Sequence, residues 1–361
     1  MTNTAERKIN WPQIWSLAAL NAAVAISWIA YHEYQPRLLE KFDFTHYAGF
    51  LAITQAIVMF LIPPVAGRIG DYFIKRDSNY FIVSTIGISV TAMIFMAVAF
   101  SISDVSFAFL HGVLPVMIVL WLISMNVFHS PANSMVELFA SERDLPLAMG
   151  IIVLITDLIY SLEPMVVALV DYLGSTLTFV TGGVLIVVSG YFFRKTSGKV
   201  ELKRDLEAKG QTNNYPKVIA VGLLSGLIFA LINQVLPDIW QGKLSGMFPG
   251  VSEGGVYASV VLALAALGAL PLSYRVRKGG VESSLIVGAL ISAAAVAGIM
   301  LTGQPLIIVA STVALALGFS IVAVSSFPYA LMNISDRNAT FGAGVFFAFV
   351  EVADNLLNAL V

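Results

Sequence analysis

Apolar residues run along this chain in long blocks that are separated by short polar segments. Most blocks hold about 20 residues, which is the length that an α-helix needs to cross the roughly 30 Å hydrocarbon core of a membrane. Helices satisfy their own backbone hydrogen bonds, so they are the expected form of such blocks in lipid. The pattern predicts eleven membrane-spanning helices, at about residues 15–39, 47–65, 81–100, 107–138, 146–170, 173–193, 218–236, 256–274, 283–301, 306–332 and 339–361.

The polar segments predict how these helices are oriented, because Lys and Arg accumulate on the cytoplasmic side of membrane proteins. With the amino terminus inside, every Lys and Arg falls in a cytoplasmic segment except Arg37, Lys41 and Lys243. The amino terminus shows no cleavable signal peptide, so the first helix is expected to stay in the mature protein. We therefore expect an integral protein of the cytoplasmic (inner) membrane with its amino terminus inside.

The longest polar segment, residues 194–217, follows the sixth predicted helix and is rich in Lys, Glu, Gly and Asn. This composition is typical of a flexible linker. The sequence therefore predicts an amino-terminal bundle of six helices in residues 1–193, a cytoplasmic linker in 194–217, and a carboxy-terminal bundle of five helices in 218–361.

Composition agrees with a membrane protein and excludes several classes of function. Of the 361 residues, 58% are hydrophobic and 12% are charged, whereas charged residues make up about 25% of soluble proteins. The chain has no cysteine, which excludes disulfides and thiolate metal sites. Its four histidines lie on separate segments, and no phosphate-binding or hydrolase motif is present. We expect no enzyme, no cofactor, no metal site and no nucleic-acid partner.

An internal repeat relates the two halves of the chain. The fourth predicted helix ends in residues 129–138, and the tenth ends in residues 326–333 with a similar arrangement around a proline. Each is followed by a charged turn that holds one arginine, Arg143 or Arg337, and then by a helix that opens with small residues. Many transporters are built from internal repeats of this kind.

The loop after the second helix adds a motif, and with it the sequence resembles the major facilitator superfamily over essentially its whole length. Gly67, Asp71, Lys75 and Arg76 match the superfamily's cytoplasmic loop motif, whereas Tyr72 stands where that motif has an arginine. The resemblance implies two pseudo-repeat helical bundles, with a substrate site between them at mid-membrane depth. It also implies transport by rocking one bundle against the other.

Within the superfamily, residues 131–138 and 327–331 are similar to the sucrose-transporter and glycoside-cation symporter branch. Asn133 replaces an arginine of that branch's pattern. The fold expected from the resemblance is all-α, with six and then five spans, and a twelfth helix that is absent or lies beyond Val361.

Charged residues inside a span are functional candidates, since a charge there costs at least about 2.5 kcal/mol. Asp157 lies about 16 Å along the fifth predicted helix, near mid-membrane depth, and the repeat aligns it with Glu351. We predict that Asp157, Glu351 and Asp354 form a proton or cation site, because burial favours the neutral form of a carboxyl group. Glu33 is expected to assist. The alternatives are packed structural acids and, for Glu33, an interfacial pair with Arg37.

Polar and aromatic residues in the same helices predict the lining of a substrate cavity. In the fourth helix Asn126, His129 and Asn133 recur at helical spacing, and their stripe ends at Glu137, for which Arg143 is the expected partner. Such amides also bond between packed helices, which is the alternative explanation. The predicted cavity residues are Tyr31, Asn126, His129, Asn133, Tyr160, Asn233, Gln234 and Tyr329.

Gly67, Asp71, Lys75 and Arg76 predict a gate, because a charged cluster at a helix end bonds to another helix in one conformation only. Positive-inside topology alone would explain the two basic residues but not Asp71.

Taken together, these features predict a secondary active transporter, a symporter or permease that works as a monomer in the lipid bilayer. It would carry a small organic solute together with H⁺ or Na⁺. No basic residue falls at mid-depth, which disfavours organic anions. Two alternatives stay open: an uncoupled facilitator or effluxer of drugs or metabolites on the same fold, and a non-transporting scaffold or receptor.

Overall fold

The structure is a computed structural model that describes residues 8–103, 111–198, 204, 206, 213–244 and 254–360. These residues form helices joined by short turns, and no strand occurs among them. Eleven helical segments are long and apolar enough to cross a membrane, so the predicted all-α membrane fold is confirmed. Residues 107–110 of the fourth predicted helix and half of the predicted linker lie outside the described residues.

The membrane-spanning helices are numbered in chain order. They are α1 Trp11–Lys41, α2 Ala48–Asp77, α3 Ile82–Ser101, α4 Leu114–Ser134, α5 Leu145–Ser161, α6 Glu163–Ser197, α7 Tyr215–Leu244, α8 Gly254–Gly279, α9 Val281–Leu301, α10 Pro305–Met332 and α11 Ala339–Leu360. A short helix, Val136–Phe139, extends α4, and 3₁₀ turns precede α2, α5 and α11.

Proline marks the start of many of these helices. A proline stands in the first turn of α1, α4, α5, α6, α7 and α10. The first-turn N–H groups have no partner within the helix, so a residue without an N–H is tolerated there, and its fixed φ favours the helix. At α7 the side chain of Asn214 also accepts a hydrogen bond from the Lys217 N–H, at 3.3 Å.

The boundary between α5 and α6 differs from the prediction. The sequence predicts one helix over 146–170, but α5 ends at Ser161 and α6 begins at Glu163. Pro164 explains the break, because it has no N–H to bond the carbonyl of Tyr160, four residues earlier, and its ring would clash with that carbonyl in a continuous helix. With 35 residues, α6 is too long for one straight crossing, and it is interrupted at Gly174. Gly174 has φ 75° and ψ 166°, a conformation that glycine adopts without strain.

The first six helices pack on one another, and so do the last five. α1 packs against α5 and α6, α3 against α4 and α6, and α2 against α4. In the second group, α8 and α9 pack against α10, and α7 packs against α10 and α11. The two groups of helices meet mainly along two pairs, α2 with α11 and α5 with α8, and less extensively where α5 contacts α10 and α4 contacts α11.

Glycines allow the close approach of helices at both contacts between the groups. A Cβ atom at Gly67 of α2 would overlap the Thr340 carbonyl of α11, and one at Gly344 would overlap the Pro63 carbonyl. A Cβ atom at Gly150 of α5 would lie 2.7 Å from the Ser273 hydroxyl of α8. Small residues let membrane helices pack backbone against backbone, so these positions draw the two groups together.

The start of α1 defines one face of the molecule, which we call the amino-terminal face. Because the helices alternate in direction, the ends of α2, α4 and α10 and the starts of α5, α7 and α11 lie on this face as well. Two backbone bonds tie it together, Asn10 N–H to the Phe139 carbonyl and Asn214 N–H to the Asn333 carbonyl, each at 2.8 Å. The other end of the molecule is the opposite face.

Candidate functional site

Asp71, at the end of α2, joins the first group of helices to the start of α11. Its side chain is 1% exposed, and its carboxylate accepts hydrogen bonds from the backbone N–H groups of Thr340, at 3.2 Å, and Phe341, at 2.9 Å. First-turn N–H groups have no partner within their helix and carry the positive end of the helix dipole. The structure therefore places this predicted gate residue at a contact that suits an anion.

Arg204, from the segment between α6 and α7, enters the same contact. Its side chain is 1% exposed, and its Nε donates to Oε1 of Glu137 at 2.5 Å. Its Nη1 donates to Oγ1 of Thr340 at 2.7 Å and lies 3.5 Å from Oδ1 of Asp71. One guanidinium thus contacts two buried acids of the first group and a hydroxyl of the second.

The sequence prediction missed Arg204 and assigned Arg143 to Glu137, which is wrong. Arg143 is exposed, and Arg204 occupies the place beside Glu137. The one sequence signal is Tyr72, which stands where the resembling motif has an arginine. That departure leaves position 72 without a base, and Arg204 from elsewhere in the chain lies beside Asp71 and Glu137.

Of the other predicted gate residues, Lys75 and Gly67 contact the segment at the start of α11, whereas Arg76 lies on the protein surface. Lys75 donates to Oδ1 of Asn338 at 3.4 Å, and Arg68 donates to the same atom at 3.2 Å. Arg76 is exposed and stays on its own helix, where it bonds to the Tyr72 hydroxyl at 3.1 Å. Gly67 lies against the Thr340 carbonyl, as described above.

A second bridge closes the same face at the α5–α8 contact. Nε of Arg277 in α8 lies 2.7 Å from Oδ1 of Asp144, at the start of α5. Together with Asp71 and Arg204, this pair joins the two groups of helices at the amino-terminal face. The conformation is therefore one in which polar contacts hold that face closed.

Asp157 lies deep inside the molecule. It stands twelve residues after Leu145, about 18 Å along α5. The residue is 7% exposed, and its Oδ2 has no hydrogen-bond partner among the described residues. Glu351 stands twelve residues after the start of α11 and is half-buried, so the two acids occupy the equal depths that the repeat predicts.

Four carboxyl groups lie in the region of Tyr160. The hydroxyl of Tyr160, one turn after Asp157, is within electrostatic range of Asp157, Glu351, Asp354 and Glu163. Tyr160 is thus a shared neighbour of three predicted coupling acids and of Glu163.

Asp354 is held by Gln234, another predicted site residue. Nε2 of Gln234 donates to Oδ1 of Asp354 at 2.9 Å. Gln234 lies in the π-helical turn Leu231–Val235 of α7, and turns of this kind occur frequently at functional sites. Oε1 of Gln234 is buried and has no hydrogen-bond partner in the described part of the chain.

Glu33 lies near the opposite face in a cluster of ion pairs. It pairs with Arg37 on its own helix, and Arg37 also binds Asp171 of α6. Arg37 and Asp171 are about half exposed. Glu163 lies within electrostatic range of Glu33, so acids extend from this cluster toward Tyr160.

Aromatic rings lie along the inner surfaces of both groups of helices. The ring of Tyr31 stacks on Trp121, with centroids 4.5 Å apart. Three ring pairs join the groups: His129 with Phe347, at 4.5 Å, Phe60 with Phe349, at 5.7 Å, and Tyr160 with Phe229, at 5.9 Å. The sequence prediction missed Trp121, Phe229 and Phe347, because one more aromatic residue in an apolar helix gives no signal of its own.

The predicted asparagines use their amide donors on helix backbones. Asn126 donates to the Leu122 carbonyl and Asn233 to the Phe229 carbonyl, each at 2.9 Å. Asn133 donates to the His129 carbonyl, and its Oδ1 accepts a hydrogen bond from Asn21 of α1 at 2.9 Å. These contacts favour the alternative that such amides pack helices together.

Tyr329, near the end of α10, lies away from the acids. Its hydroxyl donates to Oε1 of the exposed Glu282 at 3.2 Å, at the amino-terminal face. Among the described residues, no three His, Asp or Glu side chains lie close enough together to hold a metal ion.

A family model described as Major Facilitator Superfamily matches residues 9–353. No match is found among curated proteins. The fold is similar to the crystal structure of the human organic anion transporter MFSD10 (TETRAN), with a TM-score of 0.72 at 12% identity over 97% of this chain and 93% of that chain.

The fold is also similar to a bacterial homologue of the iron transporter ferroportin in its outward-facing state. The crystal structure has a TM-score of 0.65, and the one with soaked iron has a TM-score of 0.69. Both have 14% identity and cover 96% of this chain and 90% of that chain. At such identities the likeness concerns the fold alone.

Proposed function

Since this chain belongs to the major facilitator superfamily, we propose that it is a secondary active transporter that moves a small organic solute by alternating access, coupled to protons. One observation carries the coupling: the buried Asp157 carboxyl, whose Oδ2 has no hydrogen-bond partner in the described part of the chain. An ionised carboxylate in that position is unfavourable, so a bound cation or proton stabilises it. Glu351 and Asp354 supply further carboxyl groups, and Na⁺ is the alternative co-ion.

The moving parts of the proposed mechanism are the two groups of helices. We assign residues 1–193 and 218–361 to two bundles and residues 194–217 to the linker. Closure of the amino-terminal face depends on Asp71, Arg204 and the Arg277–Asp144 pair. These contacts break when that face opens. A proton or substrate shifts the equilibrium between the closed and open states by the difference between its binding free energies for the two states.

We also propose a membrane orientation, an oligomeric state and a branch of the superfamily for this chain. The amino-terminal face is cytoplasmic, because the positive-inside rule places nearly all Lys and Arg there, and the chain works as a monomer in the inner membrane. The branch similar to glycoside-cation symporters remains a prediction that rests on residues 131–138 and 327–331. The substrates named for the two similar transporters, organic anions and iron, are not transferred at this identity.

A conformational experiment tests the coupling before any substrate is known. The chain has no native cysteine, so spin-label pairs can be introduced directly. A pair at Asp77→Cys and Arg337→Cys reports on the amino-terminal face, and a pair at the exposed Tyr172→Cys and Leu306→Cys reports on the opposite face. Pulsed electron spin resonance in lipid nanodiscs then gives both distance distributions at mildly acidic and mildly alkaline pH.

We expect the distributions of the unaltered chain to shift with pH in opposite directions at the two faces. Asp157→Asn and Glu351→Gln fix the charge of each site at zero, so each should weaken the shift. Glu142→Gln removes an exposed acid just before α5 and serves as the matched control. If both site variants respond to pH as the unaltered chain does, the coupling assignment fails.

Transport in vesicles is the second test. A solute screen in proteoliposomes under a proton gradient should find a solute that accumulates against its concentration. Both site variants should abolish accumulation while exchange of the solute down its gradient persists. Equal accumulation with and without the gradient would instead indicate the uncoupled facilitator.

A further inference from the structure

We infer, on the basis of the proposed transport function, that the site around Asp157 binds a monovalent organic cation that carries apolar or aromatic groups. The site comprises the carboxyl groups of Asp157 and Glu351 and the rings of Tyr160 and Phe229.

Two buried acids of this chain, Asp71 and Asp157, differ in the partners of their carboxyl groups. Asp71 and Asp157 are 1% and 7% exposed. Asp71 accepts two backbone hydrogen bonds and lies beside the guanidinium of Arg204, as a structural anion must. Asp157 has no such arrangement, and its Oδ2 is buried without a partner among the described residues. A buried anion without a partner is unfavourable, so Asp157 is suited to a positive charge that arrives from outside the chain.

The charges around the site have one sign. Among the described residues, the charged groups that act on the Tyr160 hydroxyl are acids: Asp157, Glu351, Asp354 and Glu163. The basic side chains for which partners are described bind near the ends of helices, as Arg204 and Arg277 do at one face and Arg37 at the other. Charge of one sign attracts ligands of the opposite sign, so this site favours cations.

The rings favour an organic cation over a hydrated inorganic one. Tyr160 and Phe229 belong to different groups of helices, and their ring centroids are 5.9 Å apart. Phe319 of α10 continues the aromatic surface, 6.2 Å from Phe229. Aromatic faces attract cations and also bury apolar substituents, which suits quaternary ammonium and phosphonium groups. A ligand that contacts the rings of both Tyr160 and Phe229 would touch both moving groups of helices.

The amides provide little for a neutral polyol. Recognition of a sugar needs side-chain hydrogen bonds to its hydroxyl groups, but Asn126 and Asn233 donate to backbone carbonyls of their own helices. Gln234 donates to Asp354. The acids and rings therefore supply most of the chemistry that a ligand meets.

Two probes of nearly the same shape and opposite charge give a direct test. Tetraphenylphosphonium and tetraphenylborate are titrated into the purified full-length chain in detergent, and heat is measured by isothermal titration calorimetry. We expect the phosphonium to bind to one site, and Asp157→Asn to weaken its affinity at least tenfold. Tyr160→Leu, which keeps every charge but removes a ring, should weaken it several-fold. Asp157→Glu should retain most of the affinity, and Glu142→Gln should retain all of it.

The proposal is overturned if the phosphonium does not bind, if the borate binds as tightly, or if Asp157→Asn binds the phosphonium as the unaltered chain does. Competition by Mn²⁺ without any effect of Tyr160→Leu would indicate a metal substrate and would also overturn it. Melting curves identify any variant that fails to fold. If Asp157→Asn does not fold, Tyr160→Leu tests the site instead. If the phosphonium does not bind but the spin labels respond to pH as expected, the proposed function stays intact and only the cation site is refuted. If the phosphonium binds but the spin labels do not respond to pH, only the proposed proton coupling is refuted.

Discussion

Replacing Arg204 by alanine removes the cation that the structure places between Asp71 and Glu137. Both carboxylates would then lose this ion-pair partner, although Asp71 would keep its two hydrogen bonds from the start of α11. Opening of the amino-terminal face lets water reach both carboxylates. We therefore expect Arg204→Ala to shift the protein toward a conformation in which this face is open, rather than to unfold it.

The size of the shift follows from the burial of the pair. Breaking a buried ion pair by removing one partner typically costs about 3–5 kcal/mol. The Glu137 side chain retains 17% exposure, so we take the lower end, about 3 kcal/mol, which corresponds to a change of roughly a hundredfold in the closed-to-open equilibrium. A second change, Glu137→Gln, removes one of the charges left unpaired, so the double variant should recover part of the closed population.

Spin labels at Asp77→Cys and Arg337→Cys measure this population directly. Arg143→Ala is the matched control, because it removes an exposed arginine on the same face that the sequence alone would pair with Glu137. Arg204→Ala should lengthen the label distance and Arg143→Ala should leave it unchanged. If Arg204→Ala stays as closed as the unaltered chain, or if Arg143→Ala opens the face, the reasoning about the buried pair is refuted.

Two further substitutions test packing. Gly344→Ala should force α2 and α11 apart, because its methyl group would overlap the Pro63 carbonyl; overpacking costs about 1–3 kcal/mol. The same spin labels should show loss of the closed state, whereas Gly49→Ala, with no atom within 4 Å of its Cβ, should not. Lys243→Met removes three hydrogen bonds of 2.7–2.8 Å to carbonyls at the end of α9, and should destabilise the fold by about 1.5 kcal/mol. A lower melting temperature than that of the exposed control Lys195→Met would show it, and equal values would contradict it.

The spans were predictable because the bilayer imposes a strong and simple pattern. Each crossing must be apolar and about 20 residues long, so α3 or α9 is visible in the sequence without any knowledge of its neighbours. The repeat also aligned Asp157 with Glu351, so the sequence alone predicts that these two acids lie at equal depth. Where the prediction of a helix was wrong, at 146–170, the cause was a local effect of Pro164, which cannot bond the carbonyl four residues before it.

Partners were not predictable in the same way. In lipid, the outer and inner faces of a helix are both apolar, so the pattern does not show which face packs against which neighbour. For this reason the ring pairs of Phe229 and Phe347 were missed. Arg204 lies 133 positions from Asp71 in a polar segment that reads as a linker. Only the three-dimensional contact shows that this segment places Arg204 beside the gate residue Asp71.

The capping of α11 has a consequence for how motion in this protein is detected. The acceptor for the first-turn amides of Thr340 and Phe341 is Asp71, which belongs to a different helix in the other group. Helix ends are usually capped by residues next to them in sequence, so their amide protection reports local stability only. Here the protection of two amides is tied to the separation of two halves of the molecule. Their hydrogen-exchange rate therefore counts openings of the amino-terminal face, in an unlabelled protein and without a substrate.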